Sequence, residues 1–413
     1  MKIRSITCFY TPNQPDAAEQ LHQLAAFSRQ LQSTAESAGI EVQSRRLATP
    51  SFTTYTQGKS QQETLQFIQR LEAQAKENGF TYLSVGPALP QEPASFELIP
   101  ALIAATRNVF VTGIIADSQQ FYPAAIQAAA NVIAQAATIN PDGFANLRFS
   151  ALANVPAGAP FFPAAYHAPN RQPAFSLAIE CADAVVSAFK GQTSLSAARG
   201  QMLTSMNGFA AQIELLLRSI QPDGIQFLGF DFSPAPYPED NCSLGGGVEA
   251  VLSGSIGPVG SLAAAAVIAD TLDQGAWLHA GFNGLMLPVL EDSILALRAA
   301  EGVLSVKDLL LYSAVCGTGL DTVPLAGNVS ELELAALLFD IAALSVRLGK
   351  PLTARLMPIP GKQAGEVTEF DFSYFANSRA MPLQGQQVST PLNGNEPVKL
   401  APKHTYTHKN GRE

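Results

Sequence analysis

The chain has 413 residues, and its 25 Lys and Arg against 34 Asp and Glu give a formal charge of -9. That balance argues against a basic nucleic-acid-binding face and against a polybasic membrane anchor, both of which need clustered cations to meet phosphates. Only 14% of residues are charged while 47% are hydrophobic, so most of the chain reads as interior, and the thin coat of charge suggests a homo-oligomer, such as a homodimer, with part of its surface covered.

Strand and helix signals alternate from the start. Ile3, Ile6 and Cys8 form a β-like run, and residues 15–38 repeat apolar side chains at helical spacing. Ile40 and Val42 suggest a second strand. Ser60 and Glu63 make a capping-box pattern ahead of a helix face bearing Leu65, Ile68 and Leu71. TYLSVG (81–86) and VFVTGII (109–115) are apolar and β-rich, as buried parallel strands are. A helix over 123–138 and a strand over 149–155 follow. The spacing then predicts helices over 175–189 and 194–220, a strand over 225–232, helices over 260–274, 289–300, 306–314 and 331–347, and a last strand over 352–360. The alternation favours βαβ units in one α/β body over residues 1–383. Residues 384–413 are polar and lack periodicity, and read as an extended or disordered tail.

No long apolar run opens the chain, and the cysteines Cys8, Cys181, Cys242 and Cys316 form no CxxC pair. The expectation is a cytoplasmic protein with reduced thiols. The most apolar window, residues 251–269, is broken by Gly254, Gly257, Pro258 and Gly260, so it reads as a loop entering a buried helix, with no membrane span.

Three stiff segments punctuate this apolar chain. VPAGAPFFPAAYH (155–167) ends in His167, the side-chain type best suited to moving a proton near neutral pH; a packed loop with a hydrogen-bonded His is the commoner case for such a pattern. In FDFSPAPYPEDNCSLGGG, Asp231 ends a predicted parallel strand, where α/β sheets place ligand groups. Gly245 and Gly246 precede a helix there, where free amides can hold an anion or simply start the helix. In SAVCGTGLDTVPLAG, Cys316 stands beside Gly317, Gly319 and Asp321. It is either a thiol activated by exposed amides or a small buried hydrophobe. Glu180 and Asp183 read as a solvated helix stripe, and Glu291 with Asp292 as acids at a helix start. Arg355 and Lys362 flank MPIPGK as cations able to clamp an anion.

The segments NLRFSALANVPAGAPFFPAAYH, YSAVCGTGLDTVPLAGN and LTARLMPIPGKQAGEVTEFDF resemble the uncharacterised bacterial and archaeal proteins grouped as domain of unknown function 711, over nearly the whole chain. The resemblance implies a closed ten-stranded α/β barrel similar to the pyruvate formate-lyase-like glycyl radical enzymes. Such barrels have two parallel five-stranded halves and a loop threaded inside, for which the segment from Cys316 to Gly319 is the candidate. In those enzymes a loop cysteine becomes a thiyl radical and a C-terminal glycine stores the spin. FDFSYFANSRAM has no glycine in that setting, so no radical mechanism is expected.

Together these features point to an enzyme acting on a small anionic metabolite. Cys316 or His167 would serve as nucleophile or acid/base. Arg355, Lys362 and the glycines Gly317, Gly319, Gly245 and Gly246 would bind substrate. Asp231 and Asp321 would orient it or hold a divalent cation, Mg²⁺ or Ca²⁺. The alternative is a non-catalytic metabolite-binding or regulatory protein acting as a homo-oligomer.

Overall fold

The structure is a computed structural model, and it describes residues 1–220, 224–386, 388, 392 and 394–402. His404 and His408, and most of the predicted tail beyond 402, lie outside these residues. The strands are β1 (Lys2–Phe9), β2 (Arg45–Ala48), β3 (Tyr82–Ala88), β4 (Val109–Ala116), β5 (Gln120–Phe121), β6 (Phe149–Ala153), β7 (Ala174–Glu180), β8 (Gln226–Asp231), β9 (Gly319–Ala326), β10 (Leu352–Ile359), β11 (Val367–Thr368), β12 (Ser378–Arg379) and β13 (Val398–Lys399).

Among the described residues, one large sheet runs in the order β8-β7-β1-β2-β3-β4-β6-β10-β9. β1, β2, β3, β4 and β6 are mutually parallel. β7 and β8 are parallel to each other, as are β9 and β10. The direction reverses at β1/β7 and at β6/β10. The path therefore reads as an open sheet ending at β8 and β9, without the closed circle of strands expected above. Isolated bridges flank the gap: Phe230 of β8 pairs with His279, and Pro288 pairs with Asp321 of β9. β13, within the region read as tail, pairs antiparallel with β5.

The two faces of the sheet differ in chemistry because strand side chains alternate. Leu47, Leu83, Val109, Val111, Phe149, Leu177 and Ile179 belong to the main apolar core, together with helix residues such as Leu24, Ile68, Ile126 and Leu338. Each such side chain contributes on the order of 1.5–3 kcal/mol by leaving water. The other face carries small polar groups. Ser5 and Thr7 Oγ atoms donate to the Pro160 carbonyl, Ser176 donates to Gly158 O at 2.8 Å, and Ser84 donates to Ala165 O at 2.6 Å. The loop between β6 and β7 is thus pinned against this face by strand hydroxyls. Hydrogen-bonded in this way, its buried carbonyls avoid the penalty for unpaired polar groups.

Most elements fall where hydropathy places them, including the helix Gln61–Glu77 with its Ser60–Glu63 capping box. Two do not. Residues 174–180 are the strand β7, and the helix begins only at Ala182. β7 is buried along its whole length, yet Phe175, Leu177 and Ile179 alternate with Ser176, Ala178 and Glu180, a strand period that the helical reading of 175–189 passes over because the true helix follows after one residue. The glycine-bearing segment SAVCGTGLDTVPLAG also holds an element not predicted above: Gly319–Ala326 is the fully buried strand β9.

Candidate functional site

A cavity of about 200 Å³ opens on the polar face of the sheet, walled by strand residues, by Phe161–Ala164 of the pinned loop, and by Phe372 and Tyr374 from the segment joining β11 to β12. Three arginines reach it: Arg4 on β1, Arg46 on β2 and Arg355 on β10.

Two of them are placed by β-bulges. Arg4 is an extra residue on β1, between Ile3 opposite Ile179 and Ser5 opposite Ala178. On β9, Asp321 and Thr322 together oppose the single residue Arg355, since Leu320 faces Ala354 and Val323 faces Leu356. Thr322 adopts φ 37°, a conformation rare and strained for a β-branched residue. Bulges re-aim side chains and gather beside active sites.

The carboxylates of the wall bind two of the arginines. Arg4 donates to Glu180 at 2.8 Å and to Glu291 at 3.0 Å. Arg355 donates to the other Glu291 oxygen at 2.8 Å and, through Nε, to Asp321. Burial disfavours charge on Arg355, but Asp321 and Glu291 hold its pKa above the ordinary value. Burial pushes the Asp321 carboxyl up, against the pull of Arg355.

Arg46 differs. Its Nε donates to Ser44 Oγ at 3.0 Å, and its guanidinium lies over the Tyr82 and Phe162 rings, 5.6 and 5.3 Å from their centroids. Among the described residues it has no carboxylate partner. Burial, followed by repulsion from Arg4, pushes its pKa down to about 10.

Of the residues singled out in the sequence, Arg355 and Asp321 meet at this cavity, together with Glu291 and with Phe161 and Phe162 of the stiff loop. The other proposed site residues are not part of its lining. Cys316 is 1% exposed within the apolar core, and Lys350 Nζ binds its carbonyl oxygen. Gly317 packs backbone to backbone against Gly284, where an added Cβ would come 2.5 Å from the Gly284 Cα. Gly319, at φ 92°, passes the Thr353 carbonyl just as closely. These glycines answer to close backbone crossings, and of this segment Thr318 is the residue that reaches the cavity, which the pinned 155–167 loop also walls. Gly245 N–H donates to Asp292 Oδ2 at 3.0 Å and Gly246 N–H to Ser243 Oγ at 2.9 Å, so these amides cap their own helix. Lys362 stands in the turn after β10, outside the cavity wall. Asp231 accepts from Ser233 N and Oγ, Phe282 N and Asn283 N. Its oxygens are taken up by these donors, and it is not part of the cavity lining. Among the described residues no group of three or more His, Cys, Asp or Glu side chains is arranged to hold a metal ion.

His167 stacks on Phe9, and its Nε2 lies 3.3 Å from the Arg171 carbonyl. Burial lowers its pKa, with the Arg171 carbonyl working the other way. A lowered folded pKa makes the unfolded chain the better proton acceptor. Stability from this group is complete above the unfolded value of about 6.5 and falls as pH drops toward the folded value. His167→Phe is expected to flatten the fall in unfolding free energy between about pH 7 and pH 5, by up to about 1.4 kcal/mol per pH unit. Denaturant midpoints across that range check this; equal slopes in the two proteins would contradict it.

Sequence reasoning missed Arg4, Arg46, Tyr82 and Tyr374, and read Glu291 only as a helix-start acid. The available signal was a charged residue in the middle of an otherwise buried strand. No helix among the described residues is long and apolar enough to cross a membrane.

The model of the family described as Uncharacterised ACR (DUF711) matches residues 1–378. A UPF0210 protein of Pyrobaculum aerophilum is 33% identical over 228 residues, covering 53% of this chain and 51% of the relative. Another from Methanopyrus kandleri is 28% identical over 328 residues, 75% of this chain and 72% of the relative. A third, from Acetivibrio thermocellus, is 25% identical over 389 residues, 86% and 84%. The chain spans about half the length of the first Pyrobaculum relatives it matches. By the extent of the family match, from the bulged β1 through the aromatic segment beyond β10, this chain belongs to the DUF711 family of uncharacterised proteins.

Proposed function

We propose that the cavity binds a small organic anion, that Arg46 holds its negative charge, and that Asp321 is the group beside it able to exchange a proton with it, as an enzyme of this kind requires. The observation that carries the reading is the unpaired guanidinium of Arg46 in a wall where Arg4 and Arg355 are each held by two carboxylates. A partly desolvated cation with ring faces and a hydroxyl beside it but no carboxylate is less favourable in the free protein than an ion-paired one, and an anion relieves it. Asp321 suits proton exchange because it faces the cavity and its carboxyl is pushed upward by burial.

The barrel implied by the family resemblance fits the same picture. The parallel five-strand block β1-β2-β3-β4-β6 is joined through two antiparallel seams to β7-β8 and β9-β10. The segment between the bridges at His279 and Pro288 lies where a further strand would close the circle. Closure would place the cavity inside the barrel, beside the pinned loop.

The test is ligand-induced stabilisation. Wild-type protein is expected to gain unfolding temperature with small carboxylates in a saturable way, since a ligand at a hundred times its Kd adds about 2.7 kcal/mol. Arg46→Gln is expected to weaken that binding by tenfold or more, because a charge-assisted hydrogen bond is worth about 1.5–3 kcal/mol. Equal saturation curves for the two proteins would remove Arg46 from the site.

A further inference from the structure

Resting on the anion-binding reading above, we propose that the ligand is a monocarboxylate carrying a single aromatic ring. The size, walls and charge of the cavity each bear on this.

A cavity of about 200 Å³ compares with the roughly 150 Å³ that suffices for benzene in an engineered apolar cavity. There is room for one ring and a small head group. Aromatic side chains, among them Phe110, Phe162, Phe282, Phe372, Tyr82 and Tyr374, line the same cavity, with Arg46 over Tyr82 and Phe162 and Arg4 over Tyr374. These rings are held in fixed relation. Tyr82 meets Phe110 at 5.4 Å and 77°, and Phe110 meets Phe162 at 5.3 Å and 69°. Edge-to-face pairs of this kind leave a ring face or edge for another ring to meet, an arrangement favoured over a plain apolar contact.

The charge sets the head group. Arg4 and Arg355 have their donors turned to Glu180, Glu291 and Asp321. That leaves the one planar fork of Arg46, which matches a carboxylate with two parallel N–H bonds. A doubly charged phosphate would need a second free cation and would face the Glu291 and Asp321 carboxylates that also line the cavity.

Isothermal titration of the full chain with benzoate, cyclohexanecarboxylate, acetate and inorganic phosphate tests the proposal. Benzoate is expected to bind at least tenfold more tightly than acetate or phosphate, and more tightly than cyclohexanecarboxylate. Arg46→Gln should lose benzoate binding by tenfold or more, and Arg46→Lys, which keeps the charge without the fork, should fall between. Near-ultraviolet circular dichroism checks that the fold survives loss of the Arg46 contacts to Ser44, Tyr82 and Phe162, and Arg46→Lys serves as the charge-keeping control. Phosphate or acetate binding as tightly as benzoate overturns the aromatic assignment while the anion site stands. Benzoate binding untouched by Arg46→Gln overturns it as adventitious apolar binding. Failure of every probe to bind wild type overturns both readings.

Discussion

Replacing Glu291 by Gln is expected to lower the unfolding free energy by about 3 kcal/mol, read as a shifted denaturant midpoint with an unchanged slope. Glu291 joins the two halves of the ion network, one oxygen on Arg4 and the other on Arg355. It is 8% exposed, and Arg355 is 6% exposed. Breaking a buried ion pair by removing one partner costs about 3–5 kcal/mol, because the remaining charge stays desolvated. The lower end applies because Arg4 keeps Glu180 and Arg355 keeps Asp321. Glu291→Gln should also tighten the binding of small carboxylates, since one negative charge leaves a wall that an anion must approach. A fall in stability without a gain in carboxylate affinity would place the ligand away from this wall.

The same network shows what the sequence made legible. Buried strands such as VFVTGIIA and LTARLMPI announce themselves because their outer faces pack on helices and select apolar residues. Arg355 was legible too, as a cation in a chain with few charges. Its neighbours were not. Glu180 ends β7 two residues before the helix at Ala182, and a helical reading that runs the two together hides its pairing with Arg4 and Lys2. Arg4 and Asp321 reach the cavity only through bulges, and a bulge is a register event between two strands far apart in sequence. Cys316 illustrates the converse. Its glycine neighbours resemble a reactive loop, yet Gly317 and Gly319 are required by backbone crossings with Gly284 and Thr353. Local composition cannot separate a glycine that admits a ligand from one that admits another strand. One pattern in the sequence did carry the site: Thr7, Ser84, Ser150, Ser176 and Thr353 place small polar groups inside apolar strands. That marks a sheet face turned away from the helices.

Asp231→Ala is expected to cost more than Glu291→Gln, about 4 kcal/mol or above. Asp231 has none of its surface exposed and ends β8, whose edge is bridged by the chain around His279. Its Oδ1 accepts from Ser233 N at 3.0 Å, Ser233 Oγ at 2.6 Å and Asn283 N at 2.9 Å, while Oδ2 accepts from Phe282 N at 2.7 Å. Alanine strands three backbone amides, each costing about 1–3 kcal/mol when left unpaired, and the Ser233 hydroxyl, which still accepts from Gly284 N, loses the acceptor of its own hydrogen. Asparagine keeps one acceptor but turns an NH₂ toward an N–H, so Asp231→Asn should fall roughly halfway. Burial raises the Asp231 pKa while these bonds oppose the rise. A raised folded value means the folded chain holds the proton better. The penalty of ionising this buried group is absent below the unfolded pKa of about 3.9 and grows as pH rises through the folded value. The Ala variant lacks that group, so its deficit relative to wild type should narrow as pH rises through that window. Both variants are read by denaturant midpoints at several pH values, with and without Mg²⁺ or Ca²⁺. The deficit should not depend on the cation, since the four bonds to Asp231 come from protein donors. If added cation stabilised wild type but neither variant, Asp231 would be a ligand of that ion, and the loop around Asn283 would be organised by metal where hydrogen bonds now suffice.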